Sequence, residues 1–185
     1  VKILLRSKAS KLSLVVGAIF GLSNGGVWAA DGTVMITGSI VGSTCKVNGG
    51  TPDFTVALDK VSDTSLKSAG SVAGRKSFLF NLTGCAASTA TDKKKIAVFF
   101  ERGDTVNSAG RLSLSSGATA TNVDVALFKQ GAIAPLVIGA TDTVDFVDVD
   151  TNGAAQIAYD AAYYATAKAG AGTVVTNVKY TLVYP

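Results

Sequence analysis

The chain has 185 residues, 48% of them hydrophobic, with 17 Lys plus Arg against 13 Asp plus Glu and a formal charge of +4. That length suffices for one domain with a real core and not for two large ones. The absence of histidine and the presence of only two cysteines exclude histidine-based acid–base chemistry, histidine-ligated metal centres and clusters held by three or four thiolates.

Residues 1–29 read as a secretory signal peptide. Lys2, Arg6, Lys8 and Lys11 form a basic start, residues 12–22 an apolar stretch, and Val27-Trp28-Ala29 a cleavage site with small residues where the peptidase needs them. The apolar stretch is about half the roughly 20 residues a membrane-spanning helix needs, which argues against an anchor. The four basic residues leave with the signal, so the remainder balances 13 basic against 13 acidic residues. Charge therefore gives no reason to expect a nucleic-acid partner. The expected organisation is a signal at 1–29, an N-terminal extension at 30–39 and a domain at 40–185.

The mature part reads as sheet. Residues 33–40 alternate, with Val34, Ile36 and Ile40 on one side. Residues 41–47 continue extended to Cys45 and beyond. Further strands are expected at 54–58, 77–82, 96–100, 123–128, 134–138, 143–149, 155–164 and 174–184. Gly-, Ser-, Thr- and Asn-rich pieces separate them, and Thr151-Asn152-Gly153 suits a tight hairpin turn. The Ala-rich stretch 154–171 admits a helix, but Ile157, Tyr159, Tyr163 and Tyr164 fit an extended chain at least as well. The pattern is that of an all-β sandwich. Cys45 and Cys85 are 40 residues apart, and in an exported chain such a pair is expected to form a disulfide. Asp145, Asp148 and Asp150 are the densest acidic group, but their spacing suits a solvated edge better than a calcium loop. Lys93-Lys94-Lys95 reads as a solvated turn. No cofactor, metal or catalytic residue is expected.

Four segments, taken in order, resemble the major pilin subunits of the chaperone–usher family, of the type 1 fimbrial kind. They are Gly32-Thr33-Val34-Met35-Ile36-Thr37-Gly38 ahead of Cys45, then Phe80-Asn81-Leu82-Thr83-Gly84-Cys85, then Ala162-Tyr163-Tyr164-Ala165-Thr166, and finally Tyr180-Thr181-Leu182-Val183-Tyr184-Pro185. The resemblance implies an incomplete immunoglobulin-like (pilin) sandwich that lacks one strand. It implies a periplasmic chaperone and an outer-membrane usher as partners, a homopolymer of like subunits, a tip adhesin or minor subunits, and a place in a fimbrium on the cell surface that supports adhesion. It further implies that Gly32, Val34, Ile36 and Gly38 form a donor strand, and that Tyr180, Leu182 and Tyr184 line the acceptor groove and pair with the chaperone. The short stretch before Gly32 departs from the family pattern. A minor adaptor, an anchoring subunit or a glycan-binding module would be alternative roles on the same fold.

Overall fold

The computed structural model describes residues 34–38 and 45–185. The expected signal peptide, Gly32, Ile40 and the extended stretch 41–44 lie outside the described residues. The chain divides between Ile40 and Val41, and the two parts are described separately. In the first, residues 34–38 carry no sheet pairing, and Val34 and Ile36 are exposed.

The second part is all β. Its strands are β1 (Lys46–Val47), β2 (Val72–Thr83), β3 (Lys95–Phe100), β4 (Thr121–Lys129), β5 (Val147–Asp148), β6 (Ala155–Gly170) and β7 (Tyr180–Val183). One sheet has the order β1-β2-β6-β4 and the other β5-β3-β7, and every pairing is antiparallel. The inward rows meet in one core that includes Phe80, Leu82, Ile96, Val98, Leu127 and Ile157. Cys45 and Cys85 are disulfide-bonded. They flank the start of β1 and the end of β2, whose register pairs Lys46 with Thr83 and Val47 with Leu82. The bond therefore ties together two strand ends that the ladder already aligns, and closing a loop of this length contributes about 4 kcal/mol on chain-entropy grounds.

The Ala-rich stretch is a strand, the longest among the described residues. β2 on one side and β4 on the other complete its ladder, and Ile157, Tyr159 and Ala161 enter the core. Its outward alanine has a packing role: Ala162 lies opposite Ala126, with Tyr164 opposite Asp124 and Asp160 opposite Phe128. β2 bulges between Ala73 and Lys76, where Gly74 has φ +65° and a Cβ would come 2.9 Å from the Tyr163 ring. The extra residue turns Arg75 onto this outer face, 3.9 Å above the Phe128 ring.

Several expected strands differ from the structure. Residues 134–138 form no strand, because Pro135 withholds a donor and Leu136 and Ile138 are instead tied singly to Leu127 and Gly110. Of 143–149 only Val147–Asp148 pairs. The turn at 150–153 forms, with Gly153 at φ +73°. It joins no hairpin, since β5 and β6 belong to different sheets. Residues 54–58 and 174–179 have the alternation of strands but no ladder partner on the side they share, and between them lies the candidate site.

Candidate functional site: an unfilled cleft between two strand edges

A cleft of about 670 Å³ opens on the inner side of the sheets. Phe54, Val56 and Leu58 line one wall, and Val174, Val178 and Tyr180 the other. Phe78, Phe80, Leu127 and Ala161 form part of the floor. The floor is aromatic near Tyr180: Phe80 meets the Tyr180 ring edge-on at 4.8 Å and the Phe54 ring at 5.3 Å. Sequence alternation produces this lining directly. Phe54, Val56 and Leu58 share one parity: Val56 and Leu58 pack against the core, and the Phe54 ring, though more exposed, meets those of Phe78 and Phe80.

The rims are as informative as the lining. On the second rim the carbonyls of Thr173, Val175 and Lys179 accept from Thr119, Ser115 and Glu101, and that of Asn177 from the Thr105 hydroxyl. Those residues turn their backbone away from the cleft. The alternate residues Val174, Thr176 and Val178 turn theirs toward it, and among the described residues these backbone groups meet no hydrogen-bond partner. From Asp53 to Leu58 on the first rim the backbone is likewise unpartnered among the described residues. Val56 and Leu58 on the first rim and Val174, Thr176 and Val178 on the second are half-buried, and half-buried backbone polar groups are nearly always paired. Two facing rows of unpaired groups over an apolar floor therefore mark the position of an absent strand.

The expected groove residues fall as follows. β7 is an edge strand of its sheet. Its register sets Tyr180 opposite Phe100 and Leu182 opposite Val98, so both face inward. Tyr180 lines the cleft, and its hydroxyl donates to the Pro52 carbonyl at 2.7 Å, joining the two rims at one end. Leu182 and Tyr184 are half-buried against the core. Burial, and secondarily the Asp53 carboxylate, push the Tyr180 pKa up. Deeper in the core, burial raises Tyr159 to about 12. Sequence reading assigned 54–58 to an ordinary strand and did not place Phe54, Val56, Leu58, Val174 or Val178 in a groove. Their alternation was visible, but which strand edges lie unpaired is a property of topology.

The acidic cluster is dispersed. Asp145 pairs with Lys129 and Asp148 with Lys95. Asp150 accepts from the backbone N–H of Asn152 and Ala154 within its turn. The Ala154 and Asn152 bonds hold the Asp150 pKa below its ordinary value. Among the described residues no group of acidic or cysteine side chains is arranged to hold a metal ion.

Comparison with known proteins agrees with this architecture. The sequence model of the family described as Fimbrial protein matches residues 34–184. The chain is 39% identical over 164 residues to the major fimbrial subunit SMF-1 of Stenotrophomonas maltophilia, covering 84% of this chain and 94% of that one. It is 30% identical over 185 residues to the fimbrial subunit type 1 of Klebsiella pneumoniae, covering 96% and 99%. The solved P pilus rod subunit PapA superposes with a TM-score of 0.57 at 18% identity, covering 77% of this chain and all of PapA, a likeness of fold. An incomplete immunoglobulin-like sandwich, an open strand position and this family match lead to one conclusion: the chain belongs to the fimbrial protein family, as a structural subunit of chaperone–usher fimbriae.

Proposed function

We propose that the subunit polymerises by donor-strand exchange through the cleft between residues 52–58 and 174–180. A strand of the periplasmic chaperone occupies the cleft first, and residues 30–39 of the next copy replace it in the fibre. The observation that carries this reading is the pair of unpaired rims over an apolar floor. Val34 and Ile36 supply the plugs. They are 86% and 90% exposed, and large side chains on a short chain end gain about 1.5–3 kcal/mol each when buried. An extended segment added between two open edges also pairs its backbone on both sides. Gly32 and Gly38 are the small positions that bracket the plugs. Tyr180 and Leu182 belong to the edge strand against which the chaperone's strand aligns, and Tyr184 follows directly after it.

The subunit is exported, and its place is the fimbrium at the cell surface. Ile36→Asp puts a carboxylate into an apolar cleft, where an unpaired charge is strongly disfavoured. This variant is expected to accumulate as the chaperone complex in the periplasm and to form no fibres, measured by native gel and electron microscopy. Wild-type fibre yield from Ile36→Asp overturns the proposal. Deleting the last five residues removes most of β7 and is expected to abolish chaperone capture, seen as loss of the periplasmic subunit.

A further inference from the structure

An asparagine followed by glycine is open to attack by its own backbone, because the glycine nitrogen lies near the side-chain amide and no Cβ blocks its approach. The domain at 41–185 holds two such pairs, Asn48-Gly49 and Asn152-Gly153. The fold treats them in opposite ways.

Asn48 stands where β1 ends. The register pairs Val47 with Leu82, and a side chain supplies the next rung: the Asn81 N–H donates to Asn48 Oδ1 at 3.1 Å. Asn48 has φ +47°, a left-handed conformation that asparagine adopts more readily than most residues with a side chain. Beyond it the chain is open. Gly49 and Gly50 are exposed, and a Cβ at either would meet nothing within 4 Å. Among the described residues no turn, loop or side-chain hydrogen bond engages the Gly49 N–H.

The second pair is locked. The Asn152 N–H donates to Asp150 Oδ1 at 2.8 Å. The Gly153 N–H donates to the Asp150 carbonyl at 3.2 Å, and the Gly153 carbonyl accepts from the Cys85 N–H at 3.0 Å. Gly153 is buried, and a Cβ there would collide with the Cys85 carbonyl oxygen. Its nitrogen can neither give its proton to solvent nor swing toward the Asn152 side chain without breaking these contacts.

We infer that Asn48 is a site of spontaneous deamidation in the folded subunit and that the fold spares Asn152. Solvent hydroxide takes the Gly49 N–H proton, and the nitrogen attacks Asn48 Cγ. The new N–Cγ bond forms as negative charge builds on Oδ1. The Asn81 N–H already donates to that oxygen and stabilises the charge as it develops. The Cγ–Nδ2 bond then breaks, and ammonia leaves with a proton from water, which returns the hydroxide and closes a succinimide ring. Water adds to either ring carbonyl and opens it to aspartate or isoaspartate. Nothing is oxidised or reduced, and water is the only reactant consumed. Aspartate keeps an acceptor for the Asn81 rung and adds a negative charge. Isoaspartate adds the same charge, reroutes the main chain through Cγ and loses the rung.

The inference rests on neither the cleft nor the donor strand. The test holds purified fibres in warm, mildly alkaline buffer beside the reduced, denatured chain, and follows both asparagines by peptide mapping with isoaspartate detection. In the denatured chain the two should react at similar rates. In fibres Asn48 should react at least about tenfold faster than Asn152, because the Gly153 N–H must first give up its bond in a buried seat. Amide exchange at Asn81 should quicken as isoaspartate accumulates, and Gly49→Ala, which crowds the attack, should slow Asn48 alone. The ratio of the two rates is read within one wild-type molecule, so it does not depend on how any variant folds. Equal rates in fibres, faster reaction at Asn152, or an intact Asn48 in fibres while the denatured chain reacts overturns the inference.

Discussion

The outer face of β4 and β6 and the cleft on their inner side are built from similar side chains and reach opposite ends. On the outer face, Asp124, Ala126 and Phe128 of β4 lie opposite Tyr164, Ala162 and Asp160 of β6, so the pair reads the same from either end. Each aspartate is joined to an arginine, Asp124 to Arg111 at 3.0 Å and Asp160 to Arg75 at 3.4 Å. Each arginine also lies over the aromatic ring across from that aspartate, Arg111 over Tyr164 and Arg75 over Phe128. Polar groups are paired and rings covered without help from another chain. In the cleft, aromatic rings line an open floor and the rims keep unpaired backbone. The first region is finished by this sequence; the second is left for a strand from elsewhere. The difference separates residues that hold the subunit together from residues that hold the fibre together.

Supplying the missing strand should have the largest effect. A peptide of residues 30–40 added to subunit released from its chaperone is expected to raise the thermal midpoint by about 6–24 °C. Two buried plugs contribute about 3–6 kcal/mol, and each kcal/mol moves a domain of this size by about 2–4 °C. The same peptide with Val34→Asp and Ile36→Asp should produce no shift. Equal shifts from both peptides would mean that the cleft does not read these side chains.

The next test separates the two regions. Arg111→Ala takes the charged partner from Asp124 and leaves it the Asn107 amide alone. Breaking a buried pair costs about 3–5 kcal/mol, and the partial exposure of Arg111 lowers this to about 2–3 kcal/mol. The expected result is a lower midpoint in chemical denaturation with peptide uptake unchanged. Val56→Asp in the cleft wall should do the reverse, with a small change in the empty subunit and no uptake. Variants that lose both properties together would erase the distinction.

How much of this was legible in the sequence depends on the residue. The fold class followed from alternation and turn chemistry, and the disulfide from a lone cysteine pair in an exported chain. β6 was readable as a strand because Ile157, Tyr159, Tyr163 and Tyr164 fit an extended chain at least as well as a helix, although its full reach to Gly170 was hidden by small residues. Residues 54–58 and 174–179 looked like ordinary strands, because a strand whose edge is open has the same side-chain pattern as one whose edge is paired. Arg75 and Arg111 carried no signal at all. Their positions depend on a bulge and a loop that bring them to aspartates 85 and 13 residues away.

Acid should loosen the sealed face before it affects the cleft. The Ser77 hydroxyl above all, with the Gly131 N–H and Arg75, holds the Asp160 pKa below its ordinary value of 3.8 despite burial. A carboxylate depressed on folding contributes stability that is complete above the unfolded pKa and is lost as pH falls through the folded one. The midpoint of the wild type is therefore expected to be flat above about pH 5 and to fall below about pH 4. Asp160→Asn should start lower and fall less steeply over the same range. Asp150, held down by its turn, contributes to the same window, so the slope should be reduced and not abolished.

The smallest expected effect belongs to a hydrogen bond that spans the cleft. Tyr180→Phe removes only the hydroxyl that donates to Pro52 and keeps the ring against Phe80. A neutral hydrogen bond at a half-exposed site contributes about 0.5–1 kcal/mol, so the empty subunit should lose about 1–4 °C of midpoint. A strand entering the cleft must accommodate that bridge between the rims, and the donor peptide should bind the variant as tightly as the wild type or tighter. Weaker peptide binding by Tyr180→Phe would assign the hydroxyl to the bound strand instead, making it part of the acceptor and not a tie across an empty one.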